Sequence, residues 1–144
     1  MKTGQEYRDS LRNRNIKVYI KGQLLDSKDV IDHPFIKGHV NSAAMTYELA
    51  EDPQFEDLMT ATSHLTGKKI NRFTHIHQSV DDLVKKVKML RMISLNTGTC
   101  YQRCVGLDAV NSIYSVTYEM DQKLGTNYHE RLKKYLLRWR SEEH

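Results

Sequence analysis

No run of this chain approaches 18 consecutive apolar residues, so no membrane partner is expected. The opening Met1-Lys2-Thr3-Gly4-Gln5-Glu6 lacks the apolar centre of a secretion signal. Cysteine is nearly missing. Two in 144 residues, without such a signal, suit a reducing cytosol, where thiols bind metals or do redox chemistry more often than they staple folds. The chain is therefore expected to be cytoplasmic. An excess of one charge is missing too: 22 basic residues face 18 acidic ones, and the bases mostly alternate with acids, as on solvated helix faces. No nucleic-acid partner is expected, since neither a concentrated basic patch nor a recognition motif is present. The phosphate-cradling G-x-x-x-x-G-K-[ST] is absent. So is the G-x-S-x-G elbow, and Cys100 has no evident paired histidine, which disfavours a serine or cysteine hydrolase. No repeat or low-complexity tract appears.

What is present is a chain of one-domain size, 39% apolar and 28% charged, able to bury about two thirds of its unfolded surface. Its two cysteines fall four residues apart in Thr99-Cys100-Tyr101-Gln102-Arg103-Cys104-Val105-Gly106, inside a stretch that reads as helix. Residues so spaced share a helix face with Cβ atoms about 5–6 Å apart. A disulfide wants about 3.8 Å, so the two sulfurs cannot bond while the helix stays regular. Two readings remain open: a pair of small buried hydrophobes, or two thiolates holding one metal ion or two corners of an inorganic cluster.

Helical periodicity dominates. A short helix is predicted around Gln5 to Asn13. A hairpin follows from Ile16 to Leu25, turning at Lys21-Gly22. Asp32-His33-Pro34 stops the strand, and Asn41 to Glu51 reads as a helix ending before Pro53. Residues 58–78 have no clean period and read as an ordered, functional loop. Ser79-Val80-Asp81-Asp82 looks like an N-cap with acids in the first turn. It opens a helix expected to turn Leu83, Val84, Val87 and Leu90 inward and Lys85, Lys86, Lys88 and Arg91 mostly outward. Asn96-Thr97-Gly98-Thr99 breaks that helix, a second runs from about Thr99 to Leu124 before Gly125, and Asn127-Tyr128-His129-Glu130 starts a third by capping-box spacing. In the third, Leu132, Tyr135, Leu136 and Trp139 form an apolar stripe. The predicted fold is mainly α: a single domain over residues 1–144, an antiparallel helical bundle with one small β-hairpin.

Two side-chain groups lie in the 58–78 segment. His75 and His77 flank Ile76 and would share one face of a strand, with His64 eleven residues earlier; structural roles suit them better than zinc, since no C-x2-C or H-E-x-x-H pattern is present. Lys68, Lys69 and Arg72 follow Gly67 and could either grip an anion such as a coenzyme phosphate or form a solvated basic loop.

The run from Asp57 to Ser79, with its Thr62-Ser63-His64-Leu65-Thr66-Gly67 and Asn71-Arg72-Phe73-Thr74-His75-Ile76-His77-Gln78-Ser79, resembles the 4-hydroxybutyryl-CoA dehydratases. So do Asp81 to Met89, Cys100-x-Gln102-Arg103-Cys104-Val105-Gly106, the opening Thr3 to Leu11, Val30-Ile31-Asp32-His33-Pro34 and Gly125 to Glu130. The likeness covers nearly the whole chain.

The resemblance implies the N-terminal helical domain of an FAD-dependent, [4Fe-4S]-containing enzyme with a fold like the acyl-CoA dehydrogenases and a homotetrameric assembly. The implied reaction takes an acyl-CoA substrate, 4-hydroxybutyryl-CoA, to crotonyl-CoA and water, with vinylacetyl-CoA isomerisation beside it. In the family three cysteines and one histidine hold the cluster. Two of those cysteines match Cys100 and Cys104, and Gln102 matches a position near the cluster, where it would bond to substrate or to a ligand's surroundings. The third cysteine, the histidine and the middle β and C-terminal helical domains match nothing in this chain. The 144 residues alone are therefore expected neither to hold a complete cluster nor to turn over substrate. Two alternatives stand: the N-terminal domain of a flavin-dependent phenol monooxygenase, or a non-catalytic helical assembly module.

Overall fold

A computed structural model of the chain describes residues 1–26, 28–98 and 103–142. The elements are α1 (Gly4–Arg12), a hairpin of β1 (Val18–Ile20) and β2 (Gln23–Leu25), a 3-10 turn at Val30–Asp32, α2 (Pro34–Glu51) and α3 (Glu56–Met59). A second hairpin of β3 (Thr60–Thr62) and β4 (Lys69–Asn71), a 3-10 turn at Arg72–Thr74, then α4 (Val80–Thr97), α5 (Arg103–Leu124) and α6 (Tyr128–Glu142) complete the chain. The fold is mainly α. It has two small antiparallel hairpins where one is predicted, because 58–78 is not a loop: Thr60 pairs Asn71 and Thr62 pairs Lys69 across a turn closed at Gly67. Among the described residues no helix is long and apolar enough to cross a membrane.

The caps follow local chemistry. Thr3 and Glu6 form a capping box at the start of α1. The first hairpin turns at Lys21 and Gly22, both with positive φ, the geometry of a two-residue turn that matches strand twist. The α2 helix begins at Pro34 rather than Asn41. Proline fixes φ for the first helical position, and the His33 ring accepts the Phe35 amide, so the dipeptide read as a strand stop is a helix start. Ser79 caps α4 by accepting from the Asp82 amide, and Gly98 closes it in the left-handed region. At α6 the capping differs from the Asn127 spacing: the carboxylate of Asp121, near the end of α5, accepts from the amides of Tyr128 and His129 and the hydroxyl of Thr126.

One core cluster joins Ala50 of α2, Met59 of α3, Phe73, Met89 and Ile93 of α4 and Leu107 of α5. This corrects the predicted facing of α4 in part: Leu90 packs against the core and Lys88 and Arg91 are exposed as expected, but the rest of the stripe is turned. Met89 and Ile93 are its buried residues, while Leu83, Val84 and Val87 are exposed and Lys85 and Lys86 are half-buried. The two lysines lie against acids of other elements, Asp57 and Asp108, and that pairing rotates the apolar stripe outward. On α6, Leu136 is buried and Tyr135 exposed, so only part of that stripe is core.

Candidate functional site

The 3-10 turn after β4 places Arg72, 3% exposed, under the second hairpin. Its Nε donates to the Leu58 carbonyl at 2.8 Å, and Nη2 donates to those of Asp57 at 3.0 Å and Thr60 at 2.6 Å. Nη1 reaches Asp82 Oδ1 at 3.1 Å. Four bonds from the five-donor fork go to the protein itself. Arg72 is therefore a buried structural cation and does not take part in an anion-gripping loop. Lys69 pairs with Glu56 at 2.5 Å, and Lys68 is exposed.

Asp82, in the first turn of α4, is the centre of this node. Burial opposes its charge, but the Gln78 amide, the His75 ring and the Ser79 hydroxyl all bond to the charged form and hold the carboxyl well below the usual range. His75 Nε2 lies 3.2 Å from Asp82 Oδ1 and the residue is buried. A polar cavity of about 430 Å³ opens beside the node, bordered by Thr60, Thr62, Gln78 and Lys85. Lys85 bridges Asp57 and Asp81.

His77, two residues on, has its ring centroid 6.3 Å from that of His75. Burial first, then the charges of Lys86 and His75, lower its pKa. Asn111 of α5 ties this segment to the helix: its Oδ1 accepts the His77 amide at 2.8 Å and its Nδ2 donates to the His75 carbonyl at 3.1 Å and to the Leu107 carbonyl at 2.9 Å. His64, from the turn of the second hairpin, is farther along α5, with Nε2 3.0 Å from the Tyr114 hydroxyl. Tyr114 packs edge-on against the buried His129, which is 3.1 Å from Thr117 Oγ1. The three histidines of 58–78 thus go to separate partners. Neither Asp82 nor Asn111 was singled out from the sequence. Asp82 had a signal as a first-turn acid, whereas Asn111 had none, because its role depends on contacts with residues 34 and 36 positions away.

Cys104 is a half-buried free thiol in the opening turn of α5. Cys100 and Gln102 lie outside the described residues. Among those described, no three His, Cys, Asp or Glu side chains converge as a metal site. The donor set attributed to Cys100 and Cys104 is soft and anionic when deprotonated, the chemistry that iron–sulfur clusters take. The half-buried Cys104 fits it as one ligand, not as a whole site.

A family profile described as the 4-hydroxyphenylacetate 3-hydroxylase N terminus matches residues 3–144. The chain is 54% identical over 134 residues to 4-hydroxybutyryl-CoA dehydratase/vinylacetyl-CoA-Δ-isomerase of Clostridium aminobutyricum, which is 93% of this chain and 27% of that relative. It is 42% identical over 60 residues to the oxygenase component of 4-nitrophenol 4-monooxygenase/4-nitrocatechol 2-monooxygenase of Rhodococcus opacus, covering 42% of this chain and 11% of that relative. Among solved structures, an oxygen-tolerant archaeal 4-hydroxybutyryl-CoA dehydratase from N. maritimus superposes with a TM-score of 0.88 at 46% identity, over 99% of this chain and 28% of that one. HpaB, the oxygenase component of 4-hydroxyphenylacetate 3-monooxygenase, superposes with a TM-score of 0.72 at 23% identity over 99% of this chain and 29% of that one, a likeness of fold. The chain spans little more than a quarter of the length of the dehydratases it matches.

Proposed function

The chain belongs to the 4-hydroxyphenylacetate 3-hydroxylase N-terminal family, and from that premise we propose that it is the N-terminal helical domain of a 4-hydroxybutyryl-CoA dehydratase. The observation that carries this reading is the 54% identity to the clostridial enzyme over 93% of the chain. The substrate is an acyl-CoA, and the remainder of the enzyme polypeptide and further copies of it complete the assembly.

In this reading Cys100 and Cys104 supply two of the four ligands of a [4Fe-4S] cluster, and the other two come from outside these residues. Gln102 makes a hydrogen bond to substrate or to a cluster ligand. Bound FAD and cluster would supply one-electron chemistry and a Lewis acid for the departing hydroxyl. The domain's own residues do the positioning. Gly98 ends α4 so that the segment carrying Cys100 begins at a left-handed residue. Asn111 and the pair of Lys86 with Asp108 brace α5 against the 75–78 segment and α4. Exposed apolar side chains, Leu83, Val84, Val87 and Leu95 on α4 and Val105, Ile113 and Val116 on α5, suit burial against the rest of an enzyme.

The test is iron and acid-labile sulfide analysis, done anaerobically, on Cys100→Ser and Cys104→Ser of the enzyme carrying this domain. Loss of iron in both is expected; unchanged iron overturns the ligand assignment. The likeness to the Rhodococcus monooxygenase supports a second reading, a flavin-dependent phenol oxygenase. An iron-free enzyme that hydroxylates a phenol would establish it instead.

A further inference from the structure

Along α5, Cys104, Asp108, Asn111 and Ser115 recur at spacings of four, three and four residues and so share one face. Asn111 shows where that face looks, since its carboxamide bonds to the backbone of His75 and His77. A second cavity, of about 580 Å³, lies there, between residues 76–78 and the facing sides of α4 and α5. Lys86 of α4 and Asp108 stand on its wall and form an ion pair. The Lys86 side chain is 16% exposed and that of Asp108 54%. Cys104 comes one helical turn before Asp108, half-buried, with the two Cβ atoms about 5–6 Å apart. The Lys86 ammonium, in contact with that carboxylate, stands roughly 10 Å from the thiol, about a Debye length at 0.1 M salt. An iron–sulfur cluster held by thiolates is sensitive to charge at that range, since its potential follows the net charge around it.

We propose that the Lys86–Asp108 pair sets the charge beside Cys104. Lys86 cancels a carboxylate that otherwise faces an anionic cluster with like charge. The inference rests on the function proposed above, because only there does Cys104 carry a cluster. Both residues act through the field at Cys104 and not by ligation, so they are positioning residues for charge.

The test is an anaerobic reductive titration, followed by electron paramagnetic resonance, of the whole enzyme carrying this domain. Lys86→Met leaves the carboxylate alone and lowers the potential of the cluster. At a fixed applied potential the ratio of reduced to oxidised cluster then falls about 2- to 4-fold, for a unit charge at this distance in an effective dielectric of roughly 40 to 80. Asp108→Asn leaves the ammonium alone and raises the ratio by a similar factor, and the double variant returns close to the parent. A brace between helices predicts something else: both single variants break the same contact, so loss of bracing moves both in one direction. The two shifts also shrink in 1 M salt, where the Debye length is about 3 Å. If Lys86→Met fails to fold, Lys86→Gln carries the same sign. Shifts of one sign, or none, in an iron-loaded enzyme overturn this inference alone. An enzyme without iron sinks the dehydratase reading and this inference with it.

Discussion

Arg72 has three carbonyls and one carboxylate around a guanidinium that solvent scarcely reaches. Removing it takes this donor from the three carbonyls, while Asp82 keeps Gln78, Ser79 and His75. Arg72→Met is expected to destabilise the domain by about 3–5 kcal/mol, seen as a lower urea midpoint. Arg72→Lys recovers little, because an ammonium cannot reproduce the planar fork. From the sequence Arg72 could be grouped with Lys68 and Lys69 as a basic loop, since charge is visible in a sequence and partners are not. The pH behaviour follows from two neighbours. Asp82 has a folded pKa below its ordinary 3.8, so its contribution is complete above that value and is lost as pH falls through it toward the folded value. His77 is also depressed, from 6.5, so the unfolded chain binds its proton more tightly and stability declines as pH drops below 6.5. His77→Gln should flatten stability between pH 7 and 5, and Asp82→Asn should flatten it below pH 4. Urea titrations across pH distinguish the two windows.

At the scale of elements, helix ends were legible and helix faces were not. Ser79, Gly98 and Gly125 stand where side-chain caps and left-handed residues are required, and the structure uses each of them there. Ser79→Ala should cost about 1 kcal/mol by leaving the Asp82 amide unmet. The start of α6 was legible in place but not in mechanism, because its acceptor comes from Asp121, seven and eight residues back. Asp121→Ala is expected to speed amide hydrogen exchange at Tyr128 and His129 while leaving the middle of α6 protected. The facing of α4 differs from the expected one for a physical reason. Periodicity reports where the apolar residues are, and it says nothing of whether this domain or another surface covers them. The second hairpin was missed because Thr60-Ala61-Thr62 and Lys69-Ile70-Asn71 are short and mostly polar, and their pairing shows only as a ladder closed at Gly67.

For the molecule as a whole, the buried core and the outer apolar surface make opposite predictions. Met89→Ala, in the core, should cost about 2–5 kcal/mol. Val87→Lys, on the exposed side of the same helix, should change stability by less than about 0.5 kcal/mol. It should also weaken whatever association that side supports, read by light scattering of the whole enzyme. The family and its helical architecture were readable from long matching runs, whereas the two cavities were not, since each is bounded by residues far apart in sequence. Asn111 carries a mechanical corollary. With its oxygen on the His77 amide and its nitrogen on the His75 carbonyl, α5 cannot swivel about its own axis without breaking both bonds, while a third, to Leu107 within the helix, holds the side chain in place. Cys104 rides the same side of that rod seven residues away, about 10 Å along it, so the azimuth of the sulfur is fixed by a carboxamide that never touches it.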